Sequence, residues 1–131
     1  MNKNTDYLIT ATSFPAQVPS WTADTSGYSG STTSGNGLVA QGSKTGALLA
    51  VRLSVTNVNF GSFTITVRLL LDGVVKVTGT PQTIGSTATA NVDLSVNADV
   101  TSGQVLTVEA IASAASNLRI NTGIGSYVRI T

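Results

Sequence analysis

Cysteine and histidine are both absent from these 131 residues. Their absence excludes a disulfide framework, a thiolate nucleophile and a thiolate-ligated metal site. It also removes the commonest general base and the commonest metal ligand. Charge is sparse. Seven basic and six acidic side chains make up 10% of the chain, against a usual share of about a quarter, and leave a net charge of +1. These charges are scattered, so the basic stripe of a nucleic-acid binder is missing and no nucleic-acid partner is expected. No wholly apolar run approaches the ~20 residues of a membrane-spanning helix. The opening residues Met1–Asp6 are polar and lack the apolar core of a leader. Neither a targeting segment nor a membrane partner is expected. Freedom from cysteine fits folding in a reducing cytoplasm.

What the chain does have is alternation. Leu49, Val51, Leu53 and Val55 interleave with Ala50, Arg52, Ser54 and Thr56. The rhythm returns in Phe63, Ile65, Val67 and Leu69, and again in Ala88, Ala90, Val92, Leu94 and Val96. A period of two sends alternate side chains to opposite faces of a pleated strand. Strands are expected over 7–12, 47–58, 63–71, 74–79, 86–98, 104–114, 117–121 and 124–131, with breaks at 59–62, 80–85 and 98–103. Asp72-Gly73 suits a type I′ hairpin turn with positive φ at both positions. The pattern predicts an all-β fold, an antiparallel β-sandwich or barrel, with a jelly roll of about eight strands preferred.

Residues 14–46 differ in composition. They hold two of the three prolines and six of the thirteen glycines, yet also Phe14, Val18, Trp21, Tyr28, Leu38 and Val39. Such a stretch cannot bury enough apolar surface to form its own core. It reads as an extended N-terminal arm, ordered by docking on its own sheet, on a neighbouring subunit or on a larger assembly. The expected division is 1–46 as a short strand plus arm and 47–131 as the sandwich within one domain. The sandwich is expected to fold without residues 1–40.

Chemistry has little material. Asp93 and Asp99 lie six residues apart, Asp72 sits in a turn, and Asp93 and Glu109 occupy polar phases of two strands. A glycosidase needs two carboxylates flanking a cleft with displaced pKa values, and nothing in this spacing implies it. No Asp-rich calcium loop and no GxSxG occur, so no metal, cofactor or catalytic residue is expected. Gly42-Ser43-Lys44-Thr45-Gly46 lacks the upstream glycine and following helix of a phosphate loop and reads as a solvated turn.

Binding residues are better represented. Tyr7, Trp21, Tyr28 and Tyr127 could stack on sugar rings, or Trp21 could anchor the arm in an apolar pocket. Arg52, Arg68, Arg119 and Arg129 all fall on strands. Arginine suits interfaces because its planar fork pairs with carboxylates and its stem packs. The four either meet a neighbour's carboxylates or pair with Asp93 and Glu109 of the same chain. Phe14, Val18, Trp21, Tyr28, Arg52, Arg68, Arg119 and Arg129 are the candidate assembly contacts. Serine and threonine together number 35, a surface that is either covered by partners or solvated by its hydroxyls.

A short strand, a Gly/Ser-rich arm and Thr/Val-rich strands closing on Gly125-Ser126-Tyr127-Val128-Arg129-Ile130-Thr131 resemble small jelly-roll virion proteins of tailed bacteriophages. Some of these are capsid decoration (cement) proteins and others are tail or fibre-tip domains. Gly103–Ala110 with the last strand also resembles the closing strands of trimeric tumour-necrosis-factor or C1q-like jelly rolls. The resemblance implies a homotrimer located in the virion and made in the host cytoplasm. Its partner would be the major capsid protein lattice, another virion protein or a host glycan. The expected function is a structural one, stabilising a phage head from outside. The alternative is a receptor- or glycan-binding module of the tail.

Overall fold

The computed structural model describes all 131 residues as fourteen strands with no helix. Six short strands come first: β1 (Asn2–Lys3), β2 (Tyr7–Leu8), β3 (Ala16–Gln17), β4 (Trp21–Thr22), β5 (Thr32–Ser34) and β6 (Gly37–Val39). Eight follow: β7 (Lys44–Asn57), β8 (Phe63–Leu71), β9 (Val74–Thr78), β10 (Gln82–Ile84), β11 (Thr89–Val100), β12 (Val105–Ala112), β13 (Leu118–Ile120) and β14 (Gly123–Ile130).

The long strands form where alternation is regular. Ala47, Leu49, Val51, Leu53 and Val55 of β7 are buried, as are Ile65, Val67 and Leu69 of β8 and Leu106, Val108, Ala110 and Ala112 of β12. Two such half-apolar faces cover each other, which makes a sandwich. Sheet I runs β11–β7–β14–β1–β4; β13 pairs with β7 beyond β14, and β2 pairs with β13. Sheet II has β9 and β10 on one side of β8 and β12 on the other, followed by β6 and β5, with β3 also on β12. Every pairing is antiparallel. Consecutive long strands change sheet except at the β8–β9 hairpin, which is the jelly-roll path. That hairpin turns at Asp72 (φ 49°) and Gly73 (φ 77°), the expected type I′ signature.

The N-terminal segment docks on its own sheets, one of the three expected arrangements, but is more deeply integrated than an arm. It is extended, but its short strands are woven into both sheets of its own chain. β1 and β4 supply one jelly-roll position beside β14, and β3 and β6 supply another beside β12. Met1, Ile9, Val18, Trp21, Leu38 and Ala40 belong to the one apolar core. The sandwich is therefore not confined to 47–131 but takes in residues 1–40. Those residues complete two of its eight strand positions. β10 is a second surprise, because Pro81 and Gly85 mark a break there. It forms as a three-residue edge strand whose residues pair with Ile65, Thr64 and Phe63.

Two buried polar residues tie loops to the core. Asn57 donates from Nδ2 to the carbonyls of Gly61 (2.8 Å), Gly85 (3.0 Å) and Ile84 (3.3 Å), while its Oδ1 accepts from Asn59 N. Lys3 is enclosed between the rings of Tyr7 and Trp21, at 6.0 and 5.8 Å, and donates to Thr5 O at 2.6 Å. Its removal from water lowers the ammonium pKa below the ordinary lysine value.

Candidate interaction surface

The two ends of the sandwich differ in chemistry. At one end, four loops are laced together: 9–15, 58–62, 85–88 and 113–117. Val58 N donates to Asn117 O, Thr87 N to Asn59 O and Ser116 N to Ile9 O, and Asn59 Nδ2 reaches Asn117 Oδ1 at 2.6 Å. None of these loops carries a charged side chain. They instead present Phe14, 83% exposed, and Phe60, 89% exposed, with Val58 also exposed. Large apolar groups left in water on these uncharged loops make this end a candidate contact surface, although Ile124 and Val74 are also exposed elsewhere. At the opposite end lie Lys44, Asp72 and Asp99. There, Asp72 Oδ1 accepts from Val105 N and Asp99 Oδ1 from Gly46 N, both at 2.8 Å. A pocket of about 320 Å³ opens nearby between Tyr28, Leu38, Ala40, Lys44, Arg129 and Thr131.

The outer face of sheet I carries a second feature. Register aligns Asp93, Arg52 and Tyr127 on adjacent strands. Arg52 Nε donates to Asp93 Oδ1 at 2.7 Å, and that bond holds the guanidinium pKa above its ordinary value. Arg129 lies 4.0 Å from the Tyr127 ring centre and 5.6 Å from that of Tyr28. The turn at 24–31 brings Tyr28 over the last strand, braced by Tyr28 N donating to Asp24 O. Gly27 N and Ser26 Oγ donate to Asp24, which lowers its carboxyl pKa. Beside Tyr127 a shallow depression of about 230 Å³ lies over Ala50, walled by Leu48, Asp93 and Ser95.

The expected contacts thus divide. Phe14, Tyr28, Arg52 and Arg129 reach the surface, the last three in one cluster. Val18 and Trp21 do not: both are buried in the chain's own core, with Trp21 Nε1 donating to Val18 O at 2.8 Å. They anchor the N-terminal segment, so their place among assembly contacts is corrected. Arg68 is spent within the chain on Glu109, to which it donates from Nε and Nη2, and Arg119 lies 3.4 Å from Asp6. Each of the six carboxylates accepts a hydrogen bond within the fold, Asp6 from Thr122 N, and no three of them cluster.

No protein-family model matches this chain, and no curated protein shows significant similarity to it. Phe60 and Val58 went unmarked in the sequence, although an aromatic between Asn59 and Gly61 in a turn has little chance of burial. Tyr127 joins Arg129 only through alternation on β14, which points both side chains to the same face.

Proposed function

We propose that this chain is a structural virion protein of the capsid-decoration type, acting as an oligomer bound to the outside of a phage head. The observation that carries the reading is the charge-free loop end with Phe14, Val58 and Phe60 exposed. A rigid sandwich with its acids and most of its arginines satisfied internally has little polar chemistry left to offer. An apolar end of this kind gains free energy when it seats on another surface, about 25 cal/mol per Å² covered. Several copies acting together turn weak single contacts into firm attachment. The test is binding of purified protein to capsids that lack it. Phe14→Ser combined with Phe60→Ser is expected to abolish occupancy while leaving the melting temperature nearly unchanged, since both rings are exposed. Full occupancy by the double variant would reject the reading.

One observation favours the tail-module alternative. The depression over Ala50 offers an aromatic wall, a carboxylate and a serine hydroxyl, which is the equipment of a weak sugar site. Binding on a glycan array that disappears with Tyr127→Ala would favour this reading over the first.

A further inference from the structure

The margins of the two sheets are unequal. Sheet II ends on β9, five residues with Lys76 and a register irregularity, on the three-residue β10 after Pro81, and on β5 and β3. Sheet I ends at one side on the two-residue β4 and β2. Short strands, lysine, proline and bulges are the usual means of blunting an edge. β11 has none of these along Thr89–Ala98. It is twelve residues long and pairs with β7 alone. Ala88 O accepts from Asn57 N, which sets the phase of the ladder. Hydrogen bonding alternates along an antiparallel pair, so Ala90, Val92, Leu94, Val96 and Ala98 bond to β7. The backbone groups of Asn91, Asp93, Ser95 and Asn97 point to the open edge. Among these, Asn91 O accepts from Gln82 Nε2 at 3.2 Å.

We propose that a second copy of this chain pairs with that edge, β11 antiparallel to β11 across a two-fold axis, joining two copies of sheet I into one. The occupant follows from self-complementarity. Regular pairing with β7 runs through Ala98, where an irregularity interrupts it before Val100. A two-fold at Leu94 uses that regular stretch from Ala90 to Ala98. Ala90 then faces Ala98 of the second copy, Val92 faces Val96, and Leu94 faces Leu94, so apolar side chains meet on the inner face, Val92 buried and the others half-buried. On the outer face Asn91 meets Asn97 and Asp93 meets Ser95. Shifting the register by two residues one way sets Asp93 against Asp93. The other way drives the pairing through the irregularity. A one-residue slip places inner side chains opposite outer ones. The charges and the irregularity thus select one register. The pairing is two-fold, which separates it from the three-fold assembly that the virion resemblance implies.

Sedimentation of the full-length protein tests this. The expected mass is twice the 13.3 kDa of one chain. Ser95→Pro removes an edge N–H without touching the β7 ladder and is expected to give a folded monomer. Ser95→Asp, which opposes Asp93 of the second copy, gives the same loss without a backbone change. Ser95→Lys, which opposes the same Asp93, keeps the pair. Because the chain has no cysteine, Leu94→Cys offers a covalent readout. Facing residues of a non-hydrogen-bonded pair lie about 4.5 Å apart at Cα, within the ~4.4–6.8 Å of a disulfide. Oxidation should link Leu94→Cys copies in pairs and leave Asn97→Cys unlinked. A monomeric or three-copy mass for the native protein, or an unchanged mass for Ser95→Asp, overturns the proposal. Loss of the pair in Ser95→Lys overturns the register.

Discussion

Residues 1–46 and 47–131 build the same core by different means. The later region makes strands of up to fourteen residues in which buried and exposed side chains alternate. The earlier region makes six strands of two or three residues, interrupted by Pro15 and Pro19 and by positive φ at Ser20, Gly30, Gly35 and Asn36. Apart from the local β5–β6 hairpin, its order comes from partners distant in sequence: β1 lies against β14, and Val18 N donates to Val108 O. Local pattern supports the long strands before they pack, whereas the short ones are held only by what they touch. Both regions nevertheless reach full burial, at Ile9 and Val18 in one and at Leu49 and Leu53 in the other.

Deleting residues 1–40 breaks this comparison most severely. It strips Ile9, Val18, Trp21 and Leu38 from the core. Each such side chain contributes roughly 1.5–3 kcal/mol, against a whole-domain stability of about 5–15 kcal/mol. The truncated chain is expected to show no cooperative melt. A sharp thermal transition from it would mean that the N-terminal segment only decorates a self-sufficient sandwich.

Two single substitutions weigh the regions against each other. Trp21→Ala is expected to cost about 3–5 kcal/mol and Leu53→Ala about 2–5 kcal/mol in urea unfolding. Similar losses fit one shared core; a Trp21→Ala cost under ~1 kcal/mol would make the segment peripheral. Gly37→Ala probes how closely the segment approaches β12. An added Cβ would collide with Val105 Cγ1, so overpacking of about 1–3 kcal/mol is expected. Gly42→Ala meets open space and should stay within about 0.5 kcal/mol.

Lys3 gives the pH test. Its folded pKa lies below the unfolded value of 10.5, so between the two the unfolded chain holds more protons. Stability rises with pH through that window, as the buried ammonium sheds its charge. Urea midpoints of the native protein should climb relative to Lys3→Met as pH approaches 10.5. Parallel curves would show that the ammonium stays hydrated. The smallest effect belongs to the surface of the later region: Arg52→Ala breaks an exposed ion pair and should cost under ~1 kcal/mol.

The long strands were legible because each carries its own evidence. β8 matches the predicted 63–71, and the Asp72-Gly73 turn takes the conformation those residues favour. The short strands were not legible, since two or three residues contain no period. Ala16–Gln17 is a strand only because Glu109 and Ala110 lie beside it. Among the candidate contacts, Phe14 is exposed, as its place before Pro15 in a polar loop favours. Val18 and Trp21 were misjudged because sequence shows that an aromatic anchor seeks a pocket, not which chain supplies it. Arg68 and Glu109 were correctly considered as partners, but their direct opposition depends on the register of β8 and β12.

Alternation and turn chemistry determined an all-β, antiparallel protein, and composition left it without cysteine or histidine. These are local properties, readable within a window of ten residues. Tertiary structure alone decided which strands became edges, that the N-terminal segment closes its own sandwich, and that the exposed phenylalanines share an uncharged end. Those outcomes depend on long-range hydrogen bonds and on competition for one core, and neither leaves a periodic trace in the chain.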